Sequence, residues 1–220
     1  MGIGSCRRGA VVVAVAVLTH AHAATLSSLV CPLAGAEVDW SAGTVTASAG
    51  AAGDMRMPSP DAARPGAERR ARAAAIEKLR AALRALPVRG SERLGDKQVD
   101  AALSHASTTR IEYQSNGGVV LWVAVRFDDL LGKAPSSSSF SGPVVLTVGT
   151  VSLELAPLAV VGGREIIVGR MRYQQGPPPA DAISVRRDDK GRLVFPTGAE
   201  PALDRLAGGP VVIYLQKVLP

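Results

Sequence analysis

Arg69, Arg72, Arg80 and Arg84 lie close together in one Ala-rich stretch, with Arg70 and Lys78 among them. Guanidinium groups gathered on one helix can pair with the phosphates or carboxylates of a polyanion. The four arginines are therefore the candidate contacts for an anionic polymer. The competing reading is a packing helix whose basic groups only face water. Few other side chains could do chemistry. Asp128-Asp129 and Asp188-Asp189 are acidic pairs that could serve acid–base catalysis. Each stands where a strand ends or a turn begins, so both are read as solvated turn residues. His105 and Cys31 are the last histidine and the last cysteine of the chain. HExxH, GxSxG, P-loop and Rossmann glycine patterns are absent. No catalytic, cofactor-binding or metal-binding residue is assigned, and a non-enzymatic protein is expected.

The N-terminus narrows the chemistry further. "MGIGSCRRGAVVVAVAVLTHAHAA" carries Arg7 and Arg8, an apolar run from Ala10 to Leu18, and small residues at Ala21 and Ala23. A short basic region, an apolar core and an A-x-A site describe a secretory signal peptide. The run is shorter than the ~20 residues that a membrane-spanning helix needs. The mature chain is expected at Ala24 to Pro220, in the periplasm or outer cell envelope. Val30 before Cys31 fits a lipoprotein signal poorly, so a lipid anchor at Cys31 is not expected. Cleavage leaves 23 basic against 19 acidic residues, a formal charge of +4. It also leaves Cys31 and His105 alone of their kinds, so no zinc set of Cys and His can be assembled. His105 is read as a loop or capping residue. With one cysteine there is no internal disulfide, and stability must come from packing.

Certain elements must position these residues. "EVDWSAGTVTASAGAA" (37–52) reads as a strand through Val38 and Trp40, a Ser-Ala-Gly turn and a second strand around Val45. Ser59-Pro60 is a plausible helix start. Pro65-Gly66 then either kinks the helix or marks its true beginning, and Pro87 closes it. Ile76, Leu79, Leu83 and Leu86 form one apolar stripe, which Ala73 extends. Arg70, Lys78 and Arg84 project away from that stripe, while Arg69, Arg72 and Arg80 flank it. Glu68 and Arg72 are spaced for an i, i+4 ion pair. A short helix is expected around Lys97 to Leu103. "TRIEYQSNGGVVLWVAVRF" is a hairpin turning at Asn116-Gly117, with Val119, Leu121, Val123, Val125 and Phe127 on its buried face. The fold class is α+β: a β-α-β-β unit whose antiparallel sheet wraps one amphipathic helix, followed by a β-rich C-terminal half.

"VDWSAGTVTASAGAA", "AERRARAAAIEKLRAAL" and "RIEYQSNGGVVLWVAVRF" together resemble the small surface-lipoprotein family of the Helicobacter type. They are also similar to the N-terminal domain of flagellar assembly protein T. The resemblance covers residues 36–131 and implies an extracytoplasmic, dodecin-like β-α-β-β domain with a structural or surface role. It carries no catalytic residues and no flavin site. The Pro65-Gly66 break departs from the family's uninterrupted helix.

Residues 132–142 read as a Ser-rich linker and 143–220 as the β-rich C-terminal region. Strands are expected in "PVVLTVGTVSLEL" and "REIIVGRMRY", around a Gly162-Gly163 turn. A second hairpin turns through Asp189-Lys190-Gly191, "ALDRLAGG" makes a helical turn, and "PVVIYLQKVL" is the last strand. This half is either its own β-rich subdomain or an extension of the first sheet, with the extension preferred. The function expected is an exported, non-enzymatic cell-envelope protein with a structural or assembly role. Its partner would be a second copy or another envelope component. The alternative is an exported binding module for a small molecule or an anionic cell-wall polymer, acting through the basic helix face. Nucleic acid is not expected as a partner, because aromatic residues do not interleave the basic ones.

Overall fold

The computed structural model describes residues 29–130, 144–148, 153–168, 171–199 and 211–215. The signal peptide expected at 1–23, the Ser-rich linker at 132–142 and the helical turn of "ALDRLAGG" fall outside the described residues. The first half runs β1 (Val30–Leu33), β2 (Ala36–Asp39), β3 (Thr44–Ala51), α1 (Pro60–Ala85), α2 (Asp96–Ser104), β4 (Ser107–Tyr113), β5 (Val119–Arg126) and the single turn α3 (Phe127–Leu130). The strands form one antiparallel sheet in the order β1-β2-β3-β5-β4. Its turns are set locally. Ala34 and Gly35 both have positive φ, 48° and 84°, as a two-residue primed hairpin turn requires. Asp39 Oδ1 accepts from the N–H groups of Ser41 and Ala42, both at 2.9 Å, and so shapes the β2–β3 turn. Strand β1 goes beyond the sequence expectation. Pro32 argues against a central strand but is tolerated at an edge, where β1 lies.

Helix α1 packs against β3 and β5. Ser59 caps it, accepting from Ala62 N–H, and Pro60 is its first helical residue. The helix passes through Pro65-Gly66 without ending, which decides between the two starts the sequence allowed. Pro65 stands early enough that its missing N–H removes only the bond to the Asp61 carbonyl. The buried stripe also differs from the expected one. Ala63, Ala67, Ala71, Ala75, Leu79 and Leu83 recur at every fourth position and are buried, together with Ala82 and Leu86. Ala73 is exposed, and Ile76 is only half-buried at the edge of the core. The N-terminal part of the helix lies too close to the sheet for larger residues. A Cβ on Gly117 would come within 2.8 Å of the Pro60 carbonyl oxygen and 3.1 Å of Ala63 Cβ. The facing sheet residues Val45, Ala47 and Ala49 are correspondingly small.

The second half is a separate sheet, which corrects the preferred reading of it as an extension of the first. It contains β6 (Val144–Val148), β7 (Leu158–Val161), β8 (Arg164–Ile167), β9 (Met171–Gln175), β10 (Ile183–Arg187), β11 (Leu193–Val194) and β12 (Val211–Leu215). Their order is β8-β7-β11-β10-β6-β12-β9. The β7–β8 and β10–β11 pairs are antiparallel hairpins, as the turn residues indicate. The remaining pairs, β11–β7, β10–β6, β6–β12 and β12–β9, are parallel. The two halves share one apolar core. Trp40, buried at the end of the β2 hairpin, meets Phe127 edge-on with ring centroids 5.3 Å apart, and Tyr173 of the second sheet at 5.7 Å. Such aromatic contacts each contribute about 0.5–1.5 kcal/mol beyond area burial.

Ala71→Leu should destabilise the protein by about 1–3 kcal/mol, because the seam cannot admit three more carbons. Ala73→Leu, on the exposed face, should stay within about 0.5 kcal/mol. Urea denaturation of the two variants separates the observed stripe from the one read off the sequence.

Candidate functional site

The four candidate arginines stand on α1 but do not converge. Arg72 donates to Thr108 Oγ1 and, at 3.1 Å, to the Ala106 carbonyl. Arg80 pairs with Asp100 and lies 3.6 Å from Glu77. Arg84 holds Asp96 at 2.9 Å. Asp96 and Asp100 both belong to α2, so these two arginines tie α2 to α1. Arg69 is exposed and has no partner among the described residues. The expected Glu68–Arg72 pair does not form. Glu68 instead hydrogen-bonds the Tyr113 hydroxyl, and that bond raises the phenol's pKa.

The helix's other basic groups serve its own sheet. Strand β2 pairs with β3 only from Thr44 to Thr46, which leaves the following β3 carbonyls without a strand on that side. Lys78 Nζ donates to the Ser48 carbonyl at 2.8 Å, and an Arg70 guanidinium nitrogen donates to the Ala52 carbonyl at 2.6 Å. Basic side chains laid over a sheet edge occupy acceptors that a foreign strand would otherwise use. Exposed hydrogen bonds of this kind contribute only about 0.5–1.5 kcal/mol each. Their larger effect is to turn the charge inward, onto the chain's own acceptors.

Asp188-Asp189 stands at the β10–β11 turn, as expected, and Asp128-Asp129 lies in the helical turn α3 where β5 ends. Asp128 lies 3.5 Å from Arg126. Asp188 accepts from the N–H groups of Lys190 and Arg192, at 3.0 and 2.9 Å, and from Arg192 Nε at 2.7 Å. Desolvation would raise its carboxyl pKa, but the bonds from Arg192 and Lys190 outweigh it and hold the group below the usual carboxylate range. His105 is exposed and caps the C-terminus of α2, its N–H reaching the Ala102 carbonyl at 3.0 Å. Among the described residues no group of three or more His, Cys, Asp or Glu is placed to hold a metal ion. None of the described helices is long and apolar enough to cross a membrane.

Two constellations went unnoticed in the sequence. The first is a buried polar node between the halves. Glu154, 6% exposed, places Oε1 3.2 Å from Arg187 Nη2 and accepts the Gly90 N–H at 3.1 Å. Its own backbone N–H and carbonyl both bond the Tyr173 hydroxyl, at 3.0 and 2.9 Å. Beside it, Leu155 N–H reaches the Pro87 carbonyl at 3.0 Å and Ala156 N–H reaches that of Val88 at 2.9 Å. Burial, with the nearby Glu154 carboxylate, pushes the Tyr173 phenol far above its ordinary value. The second constellation is a groove of about 370 Å³ on the sheet face opposite α1. Pro32 to Glu37, Thr46, Ser48 and Trp122 line it. Alternation in β3 and β5 already placed Thr46, Ser48 and Trp122 on one face. The hairpin that walls the groove was the missing part.

The class that fold and sites define is a two-sheet α+β protein, with an antiparallel sheet packed on one helix and a β-rich C-terminal half. No family model matches the chain. No curated protein matches it significantly.

Glu154→Ala should cost about 1–3 kcal/mol, since it removes a buried carboxylate from the Arg187 guanidinium and leaves the Gly90 N–H without its acceptor. Replacing both residues with leucine should recover most of that loss in the same denaturation assay. Tyr173 supplies a pH signature. Its folded pKa lies above the unfolded value of 10.0, so its contribution to stability is intact below pH 10 and declines as pH rises above that. Stability measured at successively higher pH should fall for the parent protein and fall less steeply for Tyr173→Phe.

Proposed function

We propose that the protein is an exported, non-enzymatic component of the cell envelope with a structural or assembly role. It acts by associating with a second copy or with another envelope protein through the free edge of strand β4. The observation that carries this reading is the character of that edge. Strand β4 ends the first sheet, every residue of it except Thr108 is exposed, and Ile111 and Tyr113 present 40% and 52% of their surface. An open edge with apolar side chains accepts an added strand, whose main-chain bonds supply affinity. The opposite flank of the sheet differs, since Lys78 and Arg70 cover the open part of β3.

The export part of the proposal rests on the N-terminal basic–apolar–A-x-A pattern. The resemblance to surface-lipoprotein and flagellar-assembly domains agrees with such a role. Binding of an anionic polymer is the weaker reading, because Arg72, Arg80 and Arg84 are engaged within the chain.

Size-exclusion chromatography with light scattering on the chain from Ala24 should show an oligomer, and Ile111→Lys should shift it to monomer without loss of stability. A monomeric parent protein that binds heparin, with affinity falling steeply as salt rises, would support the polyanion reading instead.

A further inference from the structure

The groove opposite α1 is a concavity that the assembly reading leaves unused. Hairpin β1–β2 is shorter than β3, and its Ala34-Gly35 turn ends beside Thr46 and Ser48, leaving a notch on the sheet surface. Trp122 stands directly across from Ser48 in the β3–β5 register and is half-buried. The Arg110 guanidinium sits 4.8 Å from the centroid of its ring and holds the indole in place. The volume of about 370 Å³ falls at the low end of the ~300–1,000 Å³ of small-molecule sites.

The chemistry of the lining selects the ligand. Among the described residues the Glu37 carboxylate, the Thr46 and Ser48 hydroxyls and the Trp122 indole N–H have no protein partner. They offer several donors and acceptors beside one aromatic surface. The ligand that answers this set has many hydroxyls and a C–H face for the indole. Two cations border the groove and both are engaged, Lys78 at the Ser48 carbonyl and Arg110 with Glu112 and the Trp122 ring. The charge left unpaired among the described lining residues is the Glu37 carboxylate, which disfavours polyanions.

We infer that this groove is a carbohydrate-binding site for an uncharged saccharide. Trp122 packs on the sugar ring, Thr46 and Ser48 hydrogen-bond its hydroxyls, and Glu37 accepts from a further hydroxyl. The inference does not depend on self-association, since a monomer could bind sugar equally well.

The full chain would be titrated with a panel of uncharged oligosaccharides of hexoses and N-acetylhexosamines, following the two tryptophan indole resonances by NMR. The expected result is a saturable shift of the Trp122 resonance for at least one oligosaccharide, insensitive to salt. Trp122→Leu should weaken the binding of that oligosaccharide about tenfold or more, read by calorimetry. Thr46→Ala and Glu37→Gln should each weaken it about threefold to tenfold, and both are mild enough to leave the fold intact should Trp122→Leu not fold. No saturable shift with any member of the panel would overturn the inference. So would binding unchanged in Thr46→Ala and Glu37→Gln, or a groove that takes up tetramethylammonium or heparin in preference to the sugars.

Discussion

The close approach of α1 to its sheet constrains much of what surrounds it. From Ala63 to Ala75 the helix presents a methyl group at every fourth position, and the strands beneath answer with Val45, Ala47 and Ala49. At Gly117 the backbones come so near that a single added carbon would collide with the Pro60 carbonyl. A seam of this kind yields little apolar area per residue, so its strength lies in contact density rather than in large side chains. Farther along, Leu79, Leu83 and Leu86 fill the wider space where the core opens toward Trp40, Phe127 and Tyr173.

A helix held so tightly brings its flanking side chains within reach of the sheet margins. Lys78 and Arg70 meet carbonyls beyond the end of β2 on one side. Arg72 meets the start of β4 on the other, while Arg80 and Arg84 gather in α2. The same basic residues that suggest a polyanion site in the linear chain thereby become internal fastenings. On the opposite face of the sheet Arg110 holds the Trp122 indole, and that ring with Glu37 shapes a groove.

Joining the two sheets places demands of another kind. Glu154 and the Leu155 and Ala156 N–H groups hold the 87–92 connector, and Arg187 and the Tyr173 hydroxyl tie Glu154 to the second sheet in a water-poor setting. A buried pair of this type adds little net stability over an apolar substitute, but it penalises any arrangement that leaves one partner alone. Its contribution lies in fixing how the halves meet.

Local physics made much of the architecture legible from residues alone. The Ser59 cap, the Asn116-Gly117 and Gly162-Gly163 turns, the α2 segment, the alternation of Val119 to Phe127 and the end of α1 at Pro87 all depend on groups a few residues apart. Short hydrogen bonds and periodicity settle such features. The partners of Arg72, Arg80 and Arg84, the parallel pairing of β6 with β10 and β12, and the meeting of Pro32–Glu37 with Trp122 were not legible. Each joins segments far apart in the chain, and the strands involved carry similar apolar patterns that would suit several neighbours. Composition and spacing decided where the chain turns and which face of β5 is buried. Only packing, by choosing among contacts of nearly equal local merit, decided which arginines stay free and where a groove opens.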